Sequence, residues 1–425
     1  MVILLLIFLL FIPLESRTSV WFNFGSGINF TNIFILLLIL GWLIKLRKDK
    51  KPLTKNPLRI PVLIFIGATY LSFLTGFFKL GIPFFGDEFR IFKSFVMTFI
   101  LFFIIANSVK DKKSMKLLFK AMACVVILVA VITIKEFRQA GVWHYDDDAR
   151  ITLLGLQPNM LGAFFAQFLP ILAGLAFLSK KFKIKLLYIG LFSIGLPALM
   201  FTYSRGAYAA IAGAIIIMLF IGRRKVVSGF MLMAIIAIFA QSILFGYGRI
   251  IPVSVRERFE SLKQENIEKD KSIELREAVW ELAKQRIAES PVFGYGYGAS
   301  DHVLYLQDYN VDLDTHNMYL DIALECGIPT LLLFIWVLFS MFRVGLWVFR
   351  MADDDFYQAI GLGVCGCVSA LAIGNLFGTR LTLFAANGYF AAVIGIATRI
   401  YIQLKDERLQ KKLMIVKNSK KIDED

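Results

Sequence analysis

The amino-acid sequence predicts an all-α integral membrane protein with about twelve transmembrane helices and one long outer loop that contains helices. Of its 425 residues, 58% are hydrophobic and the mean hydropathy is +0.68, whereas soluble domains are nearer half apolar. Most of its apolar runs approach the roughly 20 residues that cross a bilayer as a helix. The twelve runs lie near residues 2–14, 30–46, 60–78, 91–106, 115–134, 160–178, 184–201, 206–222, 226–245, 328–349, 357–377 and 380–402.

The first apolar run is short and begins close to the N-terminal methionine. Its position fits a signal peptide, but it lacks both a basic n-region and a cleavage site of small residues. We therefore interpret this run as a retained span.

The positive charges indicate the orientation of these spans. A formal charge of +15 is compatible with nucleic-acid binding, but the distribution of the basic residues is not. With the N-terminus inside, the inside segments carry 28 Lys and Arg residues, while the short outside segments carry 8. This excess is the positive-inside rule. It predicts that both termini are cytoplasmic and that the basic residues set topology and contact membrane lipids, not nucleic acid.

The same pattern divides the chain into four parts. Residues 1–245 form transmembrane helices one to nine, residues 246–327 form the outer loop, and residues 328–402 form helices ten to twelve. Residues 403–425 are a basic cytoplasmic tail, for which we expect a frayed helix followed by disorder. Nine Lys and Arg residues in the outer loop do not contradict the topology, since long loops translocate largely regardless of charge.

The four cysteines predict neither a disulfide framework nor a zinc site. Cys365 and Cys367 form a pair with no second pair at zinc-binding spacing. Buried, small and apolar positions are the better interpretation.

The outer loop contains one amphipathic helix. Ser272 is a suitable N-cap, and Pro291 with the glycines after it ends the helix. Arg276 lies beside the apolar stripe, with Trp280 one turn later on the same face. This arrangement predicts that the arginine is held beside an interfacial aromatic ring. The stripe consists of Leu275, Val279, Leu282 and Ala283.

His316 and Arg205 are the strongest candidate functional residues, since both lie on the predicted outer side. His316 is one of three histidines, and an imidazole can accept a proton from a hydroxyl near neutral pH. The alternative is a histidine that caps the tenth span. Arg205 lies between Ser204 and Gly206, and its guanidinium fits phosphate oxygens in a bidentate manner. The alternative is an arginine that is solvated or binds lipid headgroups.

Other arginines on the predicted outer side are further candidates for binding a phosphate group. Arg276 is one of several arginines in the loop, any of which could be a surface charge. Arg380 follows the eleventh span and Arg90 lies at the outer end of the fourth span, where either could help to hold a diphosphate or could snorkel. Arg150 ends an outer segment rich in Trp, Tyr and Asp that precedes the span opened by Asn159.

Two further motifs each allow two interpretations. Glycines at positions 294, 296 and 298 could cradle a phosphate, but a tight turn back to the membrane is the preferred interpretation. Tyr295 and Tyr297 between them could line a sugar site or anchor the loop at the interface. Asp312 and Asp314 could bind magnesium or manganese together with His316. We prefer solvated loop aspartates, so no metal and no cofactor is predicted.

Four stretches of this chain resemble the O-antigen ligase and O-antigen polymerase superfamily of bacterial envelope proteins. They are Pro158-Asn159, Ser204-Arg205-Gly206-Ala207, the helix from Arg276 to Pro291 with the glycines after it, and His316-Asn317 through Ile328. Their order and the long outer loop also match. The resemblance covers roughly residues 150–400.

The resemblance implies an inverting, metal-independent glycosyltransferase with a membrane fold of the GT-C type. Its donor would be a glycan on undecaprenyl diphosphate at the periplasmic face of the bacterial inner membrane. Arg205 and Arg276 would bind the diphosphate and His316 would activate the acceptor hydroxyl. Around this catalytic group we expect Asn317, Tyr295, Trp280, Asn159, Arg150, Arg380 and Arg90 to bind substrate. Asp312 and Asp314 beside His316 depart from the pattern and raise the question of a metal.

Three acceptors share this chemistry. Lipid A–core would make the protein an O-antigen ligase, which the absence of an appended soluble domain favours slightly. Another lipid-linked repeat unit would make it a polymerase, and a protein hydroxyl would make it a protein glycosyltransferase. A polyprenyl-glycan transporter or flippase is the alternative from a different class, since twelve spans permit it.

Overall fold

The computed structural model describes residues 1–14, 30–49, 56–83, 86–140, 153, 156–245, 271–304, 315–378 and 384–422. Within these ranges the protein is helical, and the only bridge between extended residues joins Leu153 and Leu156. The predicted all-α class is therefore confirmed.

The described residues form fourteen α-helices and one short 3₁₀ turn, Ile12–Leu14. In chain order the helices are α1 Val2–Phe11, α2 Phe30–Asp49, α3 Arg59–Leu80, α4 Asp87–Ser108, α5 Lys112–Ala140, α6 Pro158–Leu178, α7 Phe182–Met200, α8 Arg205–Gly222, α9 Arg224–Phe245, α10 Lys271–Glu289, α11 Ser300–Val303, α12 Met318–Met351, α13 Asp355–Gly374 and α14 Phe384–Ile422.

Nine of the helices in the described ranges are long and apolar enough to cross a membrane, namely α2 to α8, α12 and α13. Helix α1 and residues Val226–Phe239 of α9 are shorter apolar helices. Helix α14 begins with the last apolar run and continues into the basic tail as one helix. Each of the twelve predicted runs thus contains a helix in the part that is described, although residues 375–377 of the eleventh run form a turn. The protein is a multi-pass membrane protein.

Segments predicted to share the outer side lie together at one end of the bundle, which we call the outer end. His302 of α11 pairs with Glu88 in the first turn of α4, with 2.8 Å between Nε2 and Oε1. The amide of Met318, the first residue of α12, donates to the carbonyl of Asn375 just after α13 at 2.9 Å. The loop regions around α4, α11, α12 and α13 therefore meet.

Segments predicted to be cytoplasmic meet at the opposite end. Lys180 before α7 pairs with Asp355 of α13 at 2.9 Å. In α14, Arg408 donates to the carbonyl of Met351 at the end of α12 at 2.9 Å. The helix bundle thus groups the basic segments at one end and the candidate functional segments at the other.

Helix α13 lies at the centre and packs closely against α6 and α12 through glycines. A methyl group at Gly174 of α6 would lie 2.5 Å from the carbonyl oxygen of Ala359. At Gly361 of α13 it would lie 2.4 Å from the amide nitrogen of Phe349. Small residues at such contacts let helix backbones approach each other, which favours helix association in a membrane.

Helix α12 is kinked at Gly327, whose φ and ψ are 81° and 165°. This conformation is essentially restricted to glycine. A methyl group at Gly327 would lie 2.1 Å from the carbonyl oxygen of Val292, and the amide of Ile328 donates to the carbonyl of Pro291 at 2.8 Å. The kink separates an outer part of α12, residues 318–326, from the part that enters the bundle.

We predict that Gly327→Ala destabilises the protein, because alanine is strained at this φ and its methyl group collides with the backbone of Val292. The strain alone costs about 1–3 kcal/mol. Thermal unfolding in detergent measures the effect. Gly67→Ala in α3 is the matched control, since a methyl group there meets nothing within 4 Å. Equal melting temperatures for the two variants would contradict the prediction.

Candidate functional site

Arg205 is the first residue of α8, and its side chain is half-buried at the outer end. Ser204 is the N-cap, and its hydroxyl accepts a hydrogen bond from the amide of Ala207 at 3.4 Å. Gly162 of α6 permits this approach, because a methyl group there would lie 2.9 Å from the Ala207 side chain. The start of α8 is therefore held tightly against α6, and this fixes the position of the Arg205 backbone.

His316 adopts a left-handed backbone conformation with φ of 50°, and its side chain is half-buried. The Oδ1 atom of Asn317 accepts hydrogen bonds from the amides of Tyr319 at 3.0 Å and Leu320 at 3.4 Å. Asn317 rather than His316 is thus the N-cap of α12. Its amide group still has hydrogens beyond this capping interaction, so a role in substrate binding stays a prediction.

The segment before α12 is fixed by Thr315, which is fully buried. Its hydroxyl donates to the carboxylate of Asp321 and accepts from the amide of Asn317 at 3.0 Å. These bonds fix Thr315 and Asn317, and so they hold His316, which lies between these two residues in sequence, in its strained conformation. Strain of this kind is more frequent at functional sites than elsewhere.

Trp280 connects the helix of Arg276 to the segment of His316. Its indole N–H donates to the carbonyl of Thr315 at 2.8 Å. Half-buried Arg276 lies one turn earlier in α10. The adjacent apolar stripe of α10 packs on the outer part of α12 in a small cluster of buried residues, Val279, Ala283, Leu304 and Leu324. The sequence correctly predicted the stripe and the ordered helix, but not the bond to Thr315.

The outer end of α13 lies between the starts of α8 and α12. Beside α8, a methyl group at Gly374 would be in contact with the side chain of Ala210 at 3.7 Å. Towards α12, the Tyr319 hydroxyl donates to the carbonyl of Ala372 at 2.8 Å. The two sequence segments that contain Arg205 and His316, over 100 residues apart in sequence, are therefore on either side of the same helix end.

The local electrostatics of this end suit an anion. Helices α6, α8 and α12 all begin here, and each N-terminus carries a partial positive charge. Arg205 and Arg276 add two full positive charges. This combination of helix N-termini and guanidinium groups fits the oxygen atoms of a phosphate or diphosphate.

The glycine-rich segment forms a turn that supports the outer part of α12. The amides of Tyr295 and Gly296 donate to the carbonyls of Leu324 and Glu325 at 3.1 Å and 2.9 Å. These amides are therefore engaged in the turn, which agrees with the preferred interpretation of the motif. The hydroxyl of Tyr295 donates to Glu289 at 2.7 Å. Burial, and after it the Glu289 carboxylate, raises the pKa of Tyr295.

The remaining candidate residues are more dispersed. Arg90 is exposed and pairs with Asp87 in the first turn of α4 at 3.2 Å. Asn159 is half-buried in the first turn of α6. Their part in substrate binding stays a prediction. Four other residues of the sequence analysis lie outside the described residues, namely Arg150, Arg380, Asp312 and Asp314.

Sequence analysis missed two buried polar residues. Asn375 after α13 and Gln167 in α6 are 0% and 5% exposed. The only signal in the sequence was an amide side chain inside or at the end of an apolar run. Among the described residues no group of three or more His, Cys, Asp or Glu side chains is arranged to hold a metal ion.

The chain is a multi-pass membrane protein whose outer end combines several helix N-termini with basic side chains. Residues 190–335 match a family model described as O-antigen ligase, and this range includes Arg205, Arg276 and His316. This match, over part of the chain, supports the resemblance to the O-antigen ligase and polymerase superfamily that the sequence motifs indicated. The family is that of glycosyltransferases that act on lipid-linked glycans and their acceptors in a membrane. No curated protein matches the chain.

We predict that Trp280→Phe loosens the His316 segment, because phenylalanine keeps an aromatic ring but cannot donate to Thr315. Hydrogen–deuterium exchange over residues 315–320 would then be faster than in the unaltered protein. Trp336→Phe in α12 is the control, since Trp336 is 40% exposed on the surface of the bundle. Unchanged exchange in Trp280→Phe would show that the indole bond does not hold the segment.

Proposed function

We propose that the protein is an inverting, metal-independent glycosyltransferase that moves a glycan from undecaprenyl diphosphate to an acceptor hydroxyl. The proposed acceptor is lipid A–core, which makes the protein an O-antigen ligase of the bacterial inner membrane. The observation that carries the proposal is the arrangement around the outer end of α13. The first turns of α8 and α12 each adjoin that end of α13, and Trp280 joins α10 to the His316 segment.

The two arginines bind the diphosphate of the donor in this proposal. Guanidinium groups remain charged at any relevant pH and pair with phosphate oxygens in a bidentate manner. As the bond to the diphosphate breaks, negative charge accumulates on the leaving group, and positive charge held in place stabilises it. Arg205, Arg276 and the helix N-termini supply that charge, so the proposed reaction requires no metal.

His316 is the proposed general base. Its imidazole takes the proton of the acceptor hydroxyl while the hydroxyl oxygen bonds to the anomeric carbon of the donor sugar. The bond from this carbon to the diphosphate oxygen breaks, and the diphosphate leaves with the electron pair. Because attack comes from the face opposite the leaving group, the anomeric configuration is inverted. The buried Thr315 and the cap at Asn317 support a fixed backbone for this base.

The proposed site faces the periplasm, and both termini are cytoplasmic. The support is the charge distribution, with 28 Lys and Arg residues in the segments assigned inside and 8 in the short segments assigned outside. The contacts among the described residues agree with this division, since each set of segments gathers at its own end of the bundle.

A polymerase would use the same groups with a second lipid-linked glycan as acceptor, and a protein acceptor is a third variant. A flippase would instead need a route for the glycan through the bundle. Support for transfer over transport comes from Arg205 and His316, which lie at helix starts at one end of the bundle rather than at mid-depth.

We predict that purified protein in detergent transfers glycan from an undecaprenyl-diphosphate-linked donor to lipid A–core in the presence of EDTA. Loss of the general base in His316→Ala lowers the rate by roughly 10²–10⁴-fold. Arg276→Ala and Arg205→Ala lose comparable activity, because charge on the leaving diphosphate is no longer stabilised. Transfer is measured by separating glycosylated from unmodified acceptor.

Two control variants keep this test specific. His302→Ala removes the other described histidine at the outer end, and Arg343→Ala removes an arginine of α12 far from that end. Both should retain activity. Chain growth with donor alone would instead identify a polymerase. No transfer from a competent donor to any acceptor would overturn the proposal in favour of a transporter.

We also predict the membrane orientation. In a variant without the four native cysteines, a cysteine at Asp301 reacts with a membrane-impermeant maleimide in intact spheroplasts. A cysteine at Lys412 reacts only after the membrane is opened, because this residue lies in the basic tail. The reverse pattern of labelling would place the site in the cytoplasm and refute a periplasmic reaction.

A further inference from the structure

Asn375 is a fully buried asparagine at the outer end of α13, with no exposed surface. Neither its side-chain oxygen nor its side-chain nitrogen has a hydrogen-bond partner among the described residues. Its main chain, in contrast, is engaged, because its carbonyl accepts from the amide of Met318 and its amide donates to the carbonyl of Leu371. The backbone of Asn375 thus contributes hydrogen bonds to the fold, whereas its side chain contributes none among the described residues.

The backbone conformation gives no reason for an asparagine at this position. Asn375 is the C-cap of α13 with φ of −68° and ψ of −13°, which any residue adopts. Asparagine is favoured at helix ends when the left-handed conformation is required, and that is not the case here. An apolar side chain of similar size would satisfy the backbone and avoid burying an unpaired amide.

Burying an amide without partners is unfavourable, and most buried polar groups in proteins are therefore hydrogen-bonded. In Asn375 both ends of the amide are unsatisfied, so the penalty applies to a donor and an acceptor. An exception of this kind calls for an explanation, such as a ligand that completes the bonds.

A narrow slot lies between the outer ends of α6, α8 and α13, next in sequence to Asn375. Its wall includes Gly374, the residue before Asn375, and Gly206 and Ala207, which follow Arg205. The slot is small, with a cavity volume of about 10 Å³, close to the space that one water molecule needs. Gln167 also lines it, and the side-chain oxygen of Gln167 has no partner among the described residues either. A second unsatisfied amide therefore borders the same region.

The chemistry of an amide restricts the kind of group that Asn375 can bind. Its nitrogen donates and its oxygen accepts. A phosphate group at neutral pH offers mainly acceptors and would leave the oxygen of Asn375 unsatisfied. A hydroxyl group both donates and accepts, so sugar hydroxyls match an amide that lacks both kinds of partner.

We propose that Asn375 is a substrate-binding residue that forms hydrogen bonds with a hydroxyl group of the glycan, between the Arg205 and His316 segments. The proposal rests on the proposed glycosyl transfer. Residues 376 and 377, which follow directly, form an exposed turn at the surface next to the buried amide. The hydroxyl belongs either to the donor glycan or to the acceptor glycan, and kinetics distinguish the two.

The test combines stability and kinetics in Asn375→Leu. Without substrate, its melting temperature in detergent is expected to equal or exceed that of the unaltered protein, because an unpaired amide is replaced by an apolar group. The value of kcat/KM is expected to fall roughly tenfold or more, since a site loses a hydrogen bond to a substrate hydroxyl. The KM that rises, for donor or for acceptor, identifies the glycan that Asn375 contacts. Asn375→Ser retains a donor and an acceptor and should recover part of the activity.

Asn107→Leu in α4 is the matched control, because the amide of Asn107 is paired. Its nitrogen donates to the carbonyl of Phe103 at 2.8 Å, near the cytoplasmic end of α4. This variant should melt at a lower temperature and keep its activity.

Two results would overturn the assignment of Asn375 alone. The first is normal kinetics of Asn375→Leu, and the second is a loss of melting temperature as large as that of Asn107→Leu. No transfer by the unaltered protein would overturn the proposed function and this inference with it.

Discussion

The close approach of α13 to its neighbours is the constraint on which the rest of the structure depends. Glycines at the contacts with α6 and α12 bring backbones so near that even a methyl group would collide. The two helices that carry Arg205 and the His316 segment are both placed relative to α13. Shape complementarity of small residues, rather than polar bonds in the bundle interior, therefore sets the geometry of the outer end.

The outer end retains features that cost stability. His316 and Tyr203 both have φ of 50°, and each lies one or two residues before a helix that begins at this end. The unpaired amide of Asn375 belongs to a residue that contacts the start of α12 at this same end. Strained backbones and unsatisfied buried groups are tolerated where surrounding structure holds them and where binding or catalysis benefits. Their occurrence together supports a site that is prepared for a ligand before the ligand arrives.

Much of the fold and part of the candidate site could be predicted from the sequence. Apolar runs of span length predicted the helices because a bilayer requires about 20 apolar residues for each crossing. The loop helix with Arg276 was predicted from its stripe and its ending glycines. The capping of α12 by Asn317, the indole bond of Trp280 and the buried amide of Asn375 were not predicted. Each depends on a partner, or on the lack of one, that is distant in sequence.

Hydropathy and charge along the chain were sufficient to predict an α-helical membrane protein with opposite ends of different charge. Hydropathy and charge are properties of each segment, so they can be determined without knowing which segments are neighbours in the fold. That the segments of Arg205 and His316 adjoin the same end of α13 became evident only from the packing of the helices. Packing between helices depends on which faces carry glycine and how they interlock, and a single sequence does not reveal those pairings.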